Sequence, residues 1–182
     1  MVRMKKIVRF LLAFLIAFAL MMAVRVVGVA IYTIDGPSLE PTFQAGDRIL
    51  VNHWSYGLRV GGKDGIFDYG RLVRQPVCKG DIVAFENPQD DSQLLICRCT
   101  ALPGDSVVHE GQMIIMPSLN DCADADYYWM ESLNPMNPID SRQLGFIAEE
   151  YIIGRAVLVV YSRDPATPIW KGWRTDRLLL PI

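Results

Sequence analysis

Ser38 stands in the run Ile34-Asp-Gly-Pro-Ser-Leu-Glu-Pro-Thr42, with Gly46-Asp47 and Ile49-Leu-Val-Asn52 behind it. A serine hydroxyl is a weak nucleophile until a positioned base takes its proton. Read by itself, Ser38 beside a proline is an ordinary turn serine. A second run, Lys79-Gly-Asp-Ile-Val-Ala-Phe85, leads into Arg98-Cys-Thr-Ala-Leu-Pro-Gly-Asp105. A third holds Asp140-Ser-Arg142, then Gly145 and Ile153-Gly-Arg155. Its Asp and Arg suit a structural ion pair. The cysteines are Cys78, Cys97, Cys99 and Cys122. Outside the cytoplasm four cysteines can pair in three ways. On a strand, Cys97 and Cys99 point to one face. A zinc site is not expected, because no Cys-x-x-Cys or clustered histidine is present. His53 and His109 read as isolated surface residues.

Two environments must position these residues. Apolar residues make up 51% of the 182 and charged residues 21%, with a net charge of −2. That excludes a disordered chain. The lack of a basic excess argues against a nucleic-acid partner. Residues 1–34 carry Arg3, Lys5, Lys6, Arg9 and Arg25 and no acid; the remaining 148 carry 13 basic and 20 acidic groups. From Phe10 to Val24 every residue is apolar, and the run resumes from Val26 to Tyr32. At 1.5 Å per residue, Ile7 to Val29 is long enough to cross a bilayer of roughly 30 Å. Arg9 and Arg25 then snorkel near opposite interfaces. Four basic residues before the span keep the N-terminus in the cytoplasm. A cleaved signal peptide is the alternative, with Met1 to Phe10 as its basic region and Leu11 to Met22 as its apolar one. Either way the domain after Ile34 lies outside.

Residues 35–182 read as an antiparallel, mainly β domain behind the anchor at 1–34. Arg48–Asn52, Asp81–Phe85 and Leu94–Ala101 have strand character. Ser106–Ile115 reads as a hairpin turning at Glu110-Gly111. Tyr151–Tyr161 is a further apolar run rich in β-branched residues, interrupted by Gly154 and Arg155. In the tail, Trp170, Lys171, Trp173, Arg174 and Arg177 suit either a membrane interface or a packed C-terminus.

In this order, behind such an anchor, the three runs resemble the type I signal peptidases. The resemblance covers nearly the whole chain. It implies a β fold at the outer face of a bacterial inner membrane, single-pass with its N-terminus inside. It also implies removal of signal peptides after small residues at the −3 and −1 positions, by a serine nucleophile and a neutral lysine base. The implied partners are signal peptides of preproteins and membrane lipid; no cofactor and no metal are implied. The family's serine motif falls on Ser38-Leu-Glu-Pro-Thr42, making Ser38 the candidate nucleophile. Gly36, Leu39, Pro41 and Thr42 fall in the oxyanion and substrate site. Leu39 replaces a methionine of similar volume. Arg98, Pro103, Gly104, Asp105, Asp140, Ser141 and Arg142 fall on motif positions, of which Asp105, Asp140 and Arg142, with Pro41, should hold the fold.

The departures are chemical. The family's lysine immediately precedes the arginine of the second motif, and here that position is Cys97. A cysteine sulfur stops about 3 Å short of a lysine amine and lies beyond hydrogen-bond reach. Burial also raises a thiol's pKa, leaving little thiolate. Arg98 faces the other way along a strand and cannot correct this. Gly36 replaces a serine of the oxyanion hole, and Pro138 replaces a serine near the lysine. Among the lysines, Lys5 and Lys6 are cytoplasmic, Lys63 lies in a Gly-rich loop that could fold back, and Lys79 reads as a solvated residue starting a strand. Relatives with a histidine base exist, but neither histidine matches that position. Three readings stay open: a peptidase using Ser38 by an altered route, a pseudopeptidase that binds signal peptides or a membrane partner, and a redox role pairing Cys97 with another cysteine.

Overall fold

The computed structural model describes residues 2–34, 39–61, 68–121, 123–134, 136, 139–168 and 170–182, with backbone alone at 2–8, 22–27 and 91. Gly36, Ser38, Lys63, Cys122 and Pro138 therefore lie outside the described residues. The elements in chain order are α1 (Val2–Gly28), β1 (Val29–Thr33), β2 (Asp47–Asn52), β3 (Leu58–Val60), β4 (Gly70–Leu72), β5 (Ile82–Asn87), β6 (Asp90–Ala101), β7 (Ser106–His109), β8 (Gln112–Ile115), β9 (Tyr127–Ser132), α2 (Ser141–Leu144), β10 (Ile147–Ala148), β11 (Ile152–Ser162) and β12 (Leu180–Pro181).

The main sheet runs β1-β2-β11-β5-β6-β9-β10, with β12 beside β11, and each of these pairs is antiparallel. β3–β4 and β7–β8 form two-stranded ribbons, the second turning at Glu110-Gly111 as expected. The strands at the centre of the sheet are apolar on both faces, because both faces are covered. Val83 and Phe85 of β5 join Cys97 and Cys99 of β6 in one cluster with Tyr56, Tyr128, Met130 and Ile152. Ile82, Ala84 and Ile96 point the other way, into a second cluster with Ile34, Phe43, Ile49, Val51 and Val159. Each fully buried large side chain here contributes about 1.5–3 kcal/mol. Cys97 and Cys99 thus share a face, and Arg98 between them is exposed.

Three expectations, on His53, His109 and Lys79, need correction. The run Tyr151–Tyr161 forms β11, which passes through Gly154 and Arg155 with a register shift between Ile152 and Gly154. A Cβ at 154 would meet the Asn52 carbonyl, so glycine is what lets β11 lie against the end of β2. His53 is only partly exposed; its Nε2 is buried, finds no hydrogen-bond partner among the described residues, and burial lowers its pKa. His109 packs edge-on against Trp129 at 5.3 Å between ring centres. Lys79 lies in the turn before β5 rather than in the strand. At the N-terminus, α1 ends at Gly28, and the apolar run from Val29 continues as β1, whose β-branched residues pair with β2. The described side chains of α1, Arg9 to Met21, are exposed. Among the described residues no helix is long and apolar enough to cross a membrane.

Candidate functional site

β6 is a long strand whose two edges are covered unequally. β5 pairs along Leu94–Arg98, while β9 joins the other edge only from Cys97 to Ala101. Among the described residues no strand covers Ser92–Ile96 on that side. Among the described residues β1 pairs with β2 alone, which leaves its outer edge open. Both open edges border one cavity of about 440 Å³, lined by Tyr32–Ile34 on one side and Ser92–Cys97 on the other. Leu39, Ser132 and Ile139 complete its wall. The volume is that of a small-ligand or peptide cleft. Open N–H and C=O groups on two edges suit an extended peptide that completes the sheet, with pockets for alternate side chains.

Cys97 lies at the cavity wall and is 2% exposed. Among the described residues its thiol makes one weak contact, donating to the Ile139 carbonyl at 4.0 Å. Desolvation, reinforced by the Asp140 carboxylate and partly offset by Arg142, pushes the thiol pKa up to about 12. At neutral pH the group is therefore an uncharged S–H that holds its proton. Cys78 and Cys99 are likewise free thiols, Cys78 exposed and Cys99 buried at a pKa of about 12. Among the described residues no lysine lines the cavity. Lys79 is 64% exposed and faces Asp105 at 3.8 Å.

Next to this wall the polar groups are fully engaged. Asp140 is buried and caps α2, accepting from the Arg142 amide at 2.9 Å. It also accepts from the Ser132 amide at 2.9 Å and from the Arg142 guanidinium at 2.6 Å. The guanidinium and the two backbone donors hold its carboxyl below the usual carboxylate range despite burial. Ser141 is buried, and its hydroxyl accepts from the Met130 amide at 2.9 Å. The expected Asp–Arg pair of the third motif is thus present, and it fixes the end of β9 beside the cavity.

The segment after Ser38 is held from two directions. Leu39 reaches the cavity and Phe43 is buried in the second apolar cluster. Pro41 and Thr42 are exposed. Ile34 donates to the Asp47 carbonyl at 2.8 Å and Gly46 donates to the Ile34 carbonyl at 2.9 Å, which ties the segment's two ends together. Gly46 has φ +90°, and a Cβ there would strike the Arg163 carbonyl. Asp47 is fully buried and paired with Arg177 at 2.6 Å.

The second motif divides. Cys97 reaches the cavity, whereas Arg98 is exposed. Pro103 lines a separate pocket of about 410 Å³ with Arg74, Val77, Leu102, Asp126 and Tyr128. Asp105 accepts from the Leu102 amide at 3.0 Å and closes that turn around Gly104. Its part is to shape the exit from β6. Sequence reasoning missed Ser92–Ile96, Ser132 and Ile139 as cleft residues. Only the apolar run before Ser38 hinted that Ile34 would lie there.

Residues 7–118 match the family described as signal peptidase, peptidase S26. That stretch includes Ser38, Cys97 and Pro103–Asp105 but not Asp140–Arg142. Over 76 residues the chain is 36% identical to signal peptidase I of Pseudomonas fluorescens, covering 42% of this chain and 25% of that protein. The chain thus spans about a quarter of that relative's length. It is 27% identical over 133 residues to the mitochondrial ATP-independent inner membrane protease subunit 1a of Arabidopsis thaliana, covering 72% and 70% of the two chains. It is 26% identical over 153 residues to signal peptidase I V of Bacillus subtilis, covering 68% and 80%. With the family pattern matching more than half its length, this chain belongs to the signal peptidase family, peptidase S26.

Proposed function

We propose that this chain is a membrane-anchored signal peptidase homologue that holds signal peptides of exported preproteins, extended, at the outer face of a bacterial cell membrane. In this reading it lacks efficient conventional Ser–Lys cleavage. The observation that carries the reading is the cavity between the open edges of β1 and β6, with a neutral buried thiol in its wall. A peptide laid there pairs its backbone with both edges and seats alternate side chains against Ile34, Leu39, Ile96 and Ile139. Cys97, at the position of the family's base, is too short and, as a thiol that keeps its own proton, offers no base for the proton of Ser38. Gly36 removes a side-chain donor whose loss typically costs ~10²–10³ in rate.

Residues 1–34 anchor the chain with the N-terminus in the cytoplasm, and residues 35–182 face outside. The support is the apolar run flanked by Arg9 and Arg25 and the basic N-terminus. Exposed Trp170, Trp173, Leu178 and Leu179 give the tail a surface suited to lipid headgroups.

The second reading is a peptidase that uses Ser38 by another route, favoured by retention of Ser38, Pro41 and Thr42. One experiment separates the two. Full-length protein in lipid vesicles is given a fluorescent signal-peptide substrate over pH 6–10, and binding and cleavage are followed together. Binding without cleavage, weakened when Leu39→Asp enters the cleft wall, supports the holding function. Cleavage that disappears in Ser38→Ala supports the second reading. Neither binding nor cleavage refutes both.

A further inference from the structure

We infer that the C-terminal arm sets the conformation of the segment following Ser38, with Arg177 as a positioning residue for the cleft. This deepens the reading above and rests on it, since it takes the cleft lined by Leu39 of this segment as the place where the peptide is held. The arm contributes three successive ties. Arg163 donates its backbone N–H to the Gly46 carbonyl at 3.2 Å. Arg174 donates to the Ala45 carbonyl at 3.0 Å and to the Ser162 hydroxyl at 3.1 Å. Arg177 donates to both oxygens of Asp47, at 3.1 and 2.6 Å, and to the Thr42 carbonyl at 3.0 Å. Thr42, Ala45, Gly46 and Asp47 are thereby held by residues 117 to 135 positions away in sequence.

The chemistry favours an arginine at this place. Its planar fork spans a carboxylate with two N–H groups and keeps another for a carbonyl, which a lysine cannot do in one geometry. Asp47 is fully buried and the Arg177 side chain only 11% exposed, so neither partner has water as a ready substitute. Asp47 also accepts from the Gln44 amide at 2.9 Å. The carboxylate therefore transmits the arm's position to the backbone of the turn itself. Leu39, the cavity residue of this segment, is linked to the same turn through the Phe43 amide, which donates to the Leu39 carbonyl at 3.0 Å.

A chemical reporter tests this without requiring turnover. The full-length protein carries Ser38→Cys, and alkylation by iodoacetamide at position 38 is measured by mass spectrometry against Cys78, the exposed thiol in the same molecule. Adding Arg177→Gln should raise the ratio of the two rates about five-fold, as the segment samples released conformations. Arg177→Lys should recover part of that change, and Arg174→Gln should raise the ratio about two-fold. A ratio unchanged in both Arg177→Gln and Arg174→Gln overturns the inference. Should Arg177→Gln unfold the protein, buried Cys97 and Cys99 would label together with position 38. Arg174→Gln, which leaves the Asp47–Arg177 pair in place, then decides alone. A flat ratio removes the clamp and leaves the peptide-holding reading standing. Loss of peptide binding in the wild type removes that reading and leaves the ratio informative.

Discussion

Asp140 and Cys97 are both buried beside the same cavity, and they are treated very differently by their surroundings. Asp140 accepts hydrogen bonds from two backbone amides and a guanidinium, which hold its carboxyl below the usual range. Among the described residues Cys97 has one weak contact, and its thiol pKa is pushed up to about 12. The first position is over-determined by charge and hydrogen bonding. The second asks only for a small apolar group. A fold can therefore keep the frame of a peptide cleft while the group at its reactive wall changes, because the frame's buried charges do not depend on that group.

Substitutions sharpen the contrast. Asp140→Ala should cost about 3 kcal/mol, because it strips the Ser132 and Arg142 amides of their acceptor. Cys97→Ala should cost only about 1 kcal/mol, since one small buried group is lost. Urea unfolding of the two variants measures both, and the reverse order would break the comparison. A smaller effect follows from acid. Asp47 and Asp140 have native pKa values lowered from 3.8, so their stabilisation is fully present above that value. It is lost as pH falls through the lower native values. Asp140→Asn should therefore flatten the acid limb of a stability–pH profile below pH 3.8. An unchanged limb would mean that the carboxylate has the same pKa in the folded and unfolded chain.

The chemistry at Cys97 gives the smallest signals. Alkylation of Cys97 in the folded protein should show no titration step between pH 6 and 10, because its pKa lies near 12. A step near pH 8 would show a reactive thiolate. Cys97→Lys alone should restore little cleavage, because Gly36 and Pro138 also lack the expected hydroxyl groups. Activity equal to that of an ordinary family member would contradict this.

Much of the frame was legible in the sequence because it follows from local patterning. The β5 and β6 runs, the Glu110-Gly111 hairpin and the Asp140–Arg142 pair all depend on residues close in sequence. The Asp47–Arg177 clamp was not legible, because nothing local ties residues 130 positions apart. The open edge at Ser92–Ile96 was hidden for a related reason: it depends on where β9 stops, not on anything in β6. His53 misled as an isolated polar residue, since burial comes from elements packed around it.

The most direct measurement is mass-spectrometric analysis of a signal-peptide substrate incubated with the purified full-length protein in vesicles, beside its Ser38→Ala variant. We expect the substrate to be bound and left intact by both forms from pH 6 to 10. Products cut after a small residue by the wild type, and absent with Ser38→Ala, would contradict the loss of conventional catalysis at Cys97.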